Sequence, residues 1–197
     1  MYVLIIILLI LLVIYILYNY CCANIYVKSQ IDGREYSVRQ CSTQQEASDL
    51  LAQLRHNMIA LSDYLYKQAM QNNKNVHYVK YKNYITQLNN KIQHSIIEES
   101  TIYSRYTSYS VNKGELLVFC LRPKNDNNKL YDINLLMYVA SHEMAHIACP
   151  EYGHPELFIE IFAFIVKQAI KINLYKYIDF DKNPVEYGGL LIENSVI

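Results

Sequence analysis

An α+β domain, with a small and mainly antiparallel sheet packed on helices and one transmembrane helix ahead of it, is the fold class this sequence predicts. Three observations carry that expectation. Met1 to Tyr18 is an unbroken apolar run when tyrosine is counted. Short β-branched and aromatic segments flank tight-turn signals at Asp32-Gly33 and Asn112-Lys113-Gly114. Elsewhere, longer stretches repeat their apolar residues at helical spacing. With 197 residues and no internal repeat, the chain has room for one ordinary domain, residues 24–197, behind an anchor over residues 1–20.

Taken in order, the first element is built mainly from Ile and Leu. At about 1.5 Å rise per residue, a helix from Met1 to Tyr18 would be roughly 27 Å long, close to the roughly 30 Å hydrocarbon layer of a bilayer. Tyr2, Tyr15, Tyr18 and Tyr20 suit the interface. A cleaved signal peptide competes, but the segment lacks a basic leader and a small-x-small cleavage site. No Lys or Arg precedes it, whereas Lys28, Arg34 and Arg39 follow. The positive-inside rule therefore predicts a single-pass membrane protein, of a cell or a virion, with its C-terminal domain in the cytoplasm. Five cysteines without close pairing fit a reducing compartment. Cys21 and Cys22, at the membrane edge, read either as acylation sites or as free thiols.

A hairpin follows, with Ile25-Tyr26-Val27 and Tyr36-Ser37-Val38 on either side of Asp32-Gly33. Thr43 and Glu46 then form a capping-box signature, and Ala47, Leu50, Leu51, Leu54, Met58, Leu61 and Leu65 define an amphipathic helix from about Thr43 to Ala69. Gln71 to Asn75 interrupts it, and Tyr81, Ile85, Leu88, Ile92 and Ile96 mark a second helix. Ser104–Val111 and Glu115–Arg122 read as strands around Asn112-Lys113-Gly114, the second apolar enough to be buried on both faces. Asp132 is a plausible N-cap for a helix from Ile133 to about Ala148, which Pro150 ends and after which Gly153 allows a reversal. A further helix from Pro155 to about Ile172 is apolar on most sides, yet Glu156, Glu160, Lys167 and Gln168 make it a core helix and not a second membrane crossing. The tail reads as loop with one short strand.

Within the Ile133–Ala148 helix lies Ser141-His142-Glu143-Met144-Ala145-His146. Positions i and i+4 of a helix differ by about 40° in direction, so both imidazoles can reach one metal from one face. A catalytic zinc takes three protein ligands and keeps the fourth position for water. Seven residues after His146 comes His154, near enough for the chain to turn through Gly153 and supply the third imidazole. Glu151, Glu156 and Glu160 are rivals for that place, with Glu160 foremost. Glu143, beside the metal face, is the candidate general base. A zinc ion that only staples the fold is the competing account, and Cys149 could close its fourth position. Tyr152 and Tyr187 are candidate hydrogen-bond donors to a developing oxyanion, although among 20 tyrosines coincidence explains them as well. His56, His77 and His94 stand among polar residues with no ligand-like partner.

Charge adds an exclusion. Lys plus Arg and Asp plus Glu number 18 each, so no net field draws the chain to nucleic acid, and no nucleic-acid partner is expected.

The residues Thr107 to Glu115, Cys120-Leu121-Arg122, Asp132 to Leu136, His142 to His146 and Gly153-His154 together resemble the zinc metallopeptidases of large DNA viruses, relatives of the WLM and SprT-like peptidases. Lys28 to Arg34 and Ala47 to Leu51 are similar too, so the likeness covers most of the chain beyond residue 24. It implies a zincin-like metallopeptidase domain, His142, His146 and His154 as ligands of one catalytic Zn2+, and Glu143 as catalytic base. The spacing of the third histidine departs from the WLM and SprT-like pattern, and the longer metzincin motif, with its Met-turn, is absent. The expected activity is hydrolysis of a protein or peptide substrate by a membrane-anchored enzyme. The Ser104–Val111 strand would receive an extended peptide. A non-enzymatic viral membrane or envelope protein that keeps the scaffold is the alternative.

Overall fold

The computed structural model describes residues 5–13, 23–71, 75–123, 126 and 128–197. Residues 5–13 are helical (α1). Among the described residues no helix is long and apolar enough to cross a membrane. The transmembrane helix over residues 1–20 is therefore corrected, and with it the single-pass membrane placement and the topology drawn from its flanks. Part of that expected segment, and Cys21 and Cys22, lie outside the described residues.

What remains is α+β. Strands β1 (Asn24–Lys28) and β2 (Glu35–Arg39) form an antiparallel hairpin in which Asn24 faces Arg39 and Lys28 faces Glu35. Its turn is longer than a two-residue primed turn, because Asp32 binds locally: Oδ1 accepts from Arg34 N at 3.0 Å and Oδ2 from the Tyr36 hydroxyl at 2.7 Å. Helix α2 (Gln44–Gln71) follows, burying Leu51, Leu54, Met58, Leu61 and Leu65 completely. Thr43, expected as half of a capping box, instead gives its hydroxyl oxygen to Arg122 Nη1 and its carbonyl to Arg122 Nη2. Helix α3 (Val76–Ile92) is capped by Asn75 and buries Tyr81, Ile85, Leu88 and Ile92.

Ile96, one helical step beyond Ile92, belongs to no helix. It opens β3 (Ile96–Glu99), which pairs in parallel with β5 (Leu116–Phe119), while β4 (Tyr109–Val111) pairs antiparallel with the other side of β5. The sheet order β3-β5-β4 leaves β4 at an edge. Leu117, Val118 and Phe119 are all buried, so both faces of β5 are covered as its composition predicts.

Helix α4 (Ile133–Ala148) starts at Asp132, whose side chain accepts from Asn134 N at 2.8 Å. It runs through the core against α2, α3 and α5 (Glu156–Lys171). Phe158, Ile161, Phe162, Ile165, Val166 and Ala169 bury one face of α5, which makes it the expected core helix. A last antiparallel hairpin, β6 (Val185–Tyr187) with β7 (Leu190–Ile192), replaces the single short strand read from the tail.

The two sheets nearest α2 are joined by a buried ion cluster. Glu99 Oε1 lies 2.6 Å from Arg122 Nε and 3.6 Å from Arg39 Nε, and its Oε2 accepts from Arg39 N at 2.8 Å. Strand β3 thus carries a carboxylate into the core because two guanidiniums meet it there.

Candidate metal centre

His142 and His146 stand one turn apart on α4, and their Nε2 atoms are 3.1 Å apart. The helix stops at Cys149, whose N–H still bonds Ala145 O at 2.8 Å, and Pro150 ends it. Gly153, at φ 76°, then lets the chain double back, and His154 Nε2 arrives 3.2 Å from His142 Nε2. All three donor atoms lie within 4.8 Å of one another. With Zn–N bonds of about 2.0–2.1 Å, two nitrogens of a tetrahedral site stand about 3.3–3.4 Å apart. The measured separations sit just inside that edge length.

The chemistry of the donors fits as well. Burial, helped by the neighbouring His146 and His154, pushes the pKa of His142 down to about 3. Burial, with His154 and Lys113 nearby, pushes that of His146 down to about 4. Both rings are therefore neutral at ordinary pH, the state in which imidazole binds a cation. Phe158 of α5 backs the cluster, its ring centroid 4.3 Å from that of His146, 4.8 Å from His154 and 5.0 Å from His142.

Glu143 is 3% exposed, and burial raises its carboxyl pKa to about 8. Its Oε2 is buried without a hydrogen-bond partner among the described residues. A buried carboxylate oxygen normally has one, and a water on a metal at the three histidines would supply it. The residues present thus fit a divalent cation with Glu143 at its side.

The rival ligands are elsewhere. Glu160 is held by Lys80 Nζ at 2.5 Å and by the Tyr81 hydroxyl at 3.3 Å. Glu151, Glu156 and Cys149 are not in the cluster, which His142, His146 and His154 form alone among the described residues. His56, His77 and His94 are not in it either.

The cluster opens into a cleft of about 680 Å³ whose lining includes Glu143, residues 107–110 leading into and along β4, Tyr187 of β6 and all of β7. Tyr187 is buried, with its hydroxyl 2.6 Å from Ser108 Oγ. Tyr152 is 87% exposed and lies on the rim, its ring 4.6 Å from Lys113 Nζ. That lysine is the functional feature missed in the sequence. Its ammonium donates to Cys149 O and Glu151 O, both at 2.7 Å, and so fastens the loop that delivers His154. Only the turn around it was visible in the sequence, since the carbonyls it meets lie 36 and 38 positions away.

An α+β protein with a three-histidine cluster at the base of a cleft is the class that fold and site define. The chain is 40% identical over 172 residues to the uncharacterized protein R325 of Acanthamoeba polyphaga mimivirus, covering 87% of this chain and 84% of that one, and it belongs to the same family. It is also similar to the uncharacterized protein 136R of Invertebrate iridescent virus 6, at 30% identity over 96 residues, 49% of this chain and 52% of the other. The uncharacterized protein 042R of Invertebrate iridescent virus 3 matches at 32% over 81 residues, 41% of this chain and 50% of its own length. All three are viral proteins. No family model and no solved structure matches the chain.

Proposed function

We propose that this protein is a zinc-dependent peptidase in which His142, His146 and His154 hold the metal and Glu143 is the general base. One observation carries the proposal: the Nε2 atoms of His146 and His154 both stand at tetrahedral spacing from that of His142, in the same cleft as a buried Glu143 oxygen that has no partner among the described residues. The resemblance of its motifs to the zinc metallopeptidases of large DNA viruses supports the same reading. Zinc bound there would supply a Lewis acid and lower the pKa of its water to about 7. Glu143 takes the proton of the attacking water and hands it to the leaving amine. Strand β4, an outer edge of its sheet beside the cleft, offers backbone groups to an extended peptide.

The test is zinc content and peptide cleavage by the full chain and by Glu143→Gln. The expected result is about one zinc per chain in both, with cleavage lowered at least about 100-fold in the variant. Absence of bound zinc, or undiminished cleavage by Glu143→Gln, would reject the proposal. Zinc retained with no cleavage of any peptide by either protein would favour a non-enzymatic scaffold.

A further inference from the structure

The cleft has two dissimilar walls, and the difference bears on which peptides the proposed peptidase accepts. On one side, β4 and the residue before it present hydroxyls: Ser108, and Ser110, whose Oγ is buried with no hydrogen-bond partner among the described residues. On the other side, Tyr138, Val139 and Phe162 make a buried apolar floor. Leu190 and Leu191 of β7, 63% and 56% exposed, line the same cleft. The floor adjoins the reacting centre, since the Phe162 ring centroid is 5.2 Å from that of His142.

Charge narrows the occupant. Besides the histidines, the charged residues of the lining are Lys113 and Glu143. Lys113 is bonded to two loop carbonyls, and Glu143 is assigned to the chemistry. A charged side chain entering between the floor and β7 would shed water and meet no counter-ion. A large apolar one would cover Leu190 and Leu191.

We propose that Tyr138, Val139, Phe162, Leu190 and Leu191 form a specificity pocket. The substrate is then an extended peptide segment carrying a large uncharged side chain, of the Leu, Met or Phe kind, beside the scissile bond. The β4 edge binds peptide backbone and is indifferent to sequence, so selectivity falls to this wall. The inference rests on the peptidase reading.

The experiment uses the zinc-loaded full chain and quenched fluorescent peptides that differ only at the two positions flanking the cleaved bond, with Leu, Phe, Ala, Asp or Lys there. Leu and Phe should exceed Ala by about tenfold or more in kcat/KM, and Asp and Lys should fall below Ala. Leu191→Asp, a surface change that the fold tolerates, should erase the advantage of Leu over Ala. Anisotropy of the same peptides with zinc-loaded Glu143→Gln should give the same ranking without turnover. Equal cleavage across the set, or an unchanged ranking in Leu191→Asp, overturns the pocket and leaves the peptidase standing. Ranked binding by Glu143→Gln with no cleavage by the parent chain keeps the pocket and overturns the peptidase. Neither binding nor cleavage overturns both.

Discussion

His154 is the most exposed member of the cluster, yet it completes the proposed ligand set. Replacing it by Ala should weaken zinc binding by more than the roughly 10–100-fold that loss of an outer-shell partner costs, read by competition with a chelator. Glu99 matters in another way. Removing one partner of a buried ion cluster leaves the rest uncompensated, so Glu99→Gln should lower stability by about 3–5 kcal/mol in urea denaturation, while zinc stoichiometry is kept. The two residues differ sharply in how far the sequence announces them. The three-histidine cluster is legible because helical geometry turns the spacing of His142 and His146 into proximity, and because Gly153 marks a reversal just before His154. Glu99 and Ser110 are not legible. Their burial depends on strand pairing across distant positions, and no local pattern encodes that Arg39 and Arg122 will meet at Glu99.

Elements carry the next level of control, and the β4–β5 turn is the clearest case. Asn112 and Lys113 both have positive φ, 49° and 55°, as a type I′ turn requires, and Gly114 N closes it on Val111 O at 3.0 Å. Lys113 thus stands in a conformation that favours Gly or Asn, held there while its ammonium fastens the loop after α4. Lys113→Gly should relieve the backbone and leave thermal stability near that of the parent chain, yet lower zinc affinity about tenfold or more because the His154 loop loses its tether. An unchanged zinc affinity would show the tether to be incidental. Gly114→Ala should destabilise by roughly 1–3 kcal/mol, since φ is +100° and a Cβ would lie 2.9 Å from Ile147 side-chain atoms on α4. Helices were easier to foresee than strands here. Apolar stripes name α2, α4 and α5, but Ile96 keeps step with the stripe of α3 and so disguises β3, whose parallel partner comes twenty positions later.

At the scale of the molecule, the histidine cluster and the core are one structure, because α4 both carries His142 and His146 and is the central helix of the fold. Zinc at about 1,000 times its Kd would add about 4 kcal/mol of stability, so chelation should lower the Tm by roughly 10 °C, and restored zinc should recover it. The α+β class follows from the alternation of short β-branched runs with long amphipathic ones. The membrane helix did not survive, because among the described residues no helix is long and apolar enough to cross a membrane. The ligands themselves are local: His142 and His154 are twelve positions apart, whereas the cleft walls at Ser108 and Tyr187 are joined from 79 positions apart. The proposed cation capture thus lies in a stretch no longer than a short peptide, and the proposed discrimination among substrates in segments drawn from remote parts of the chain. On the proposed function, descendants of one ancestral sequence can therefore drift in what they cut while the ion they carry stays the same.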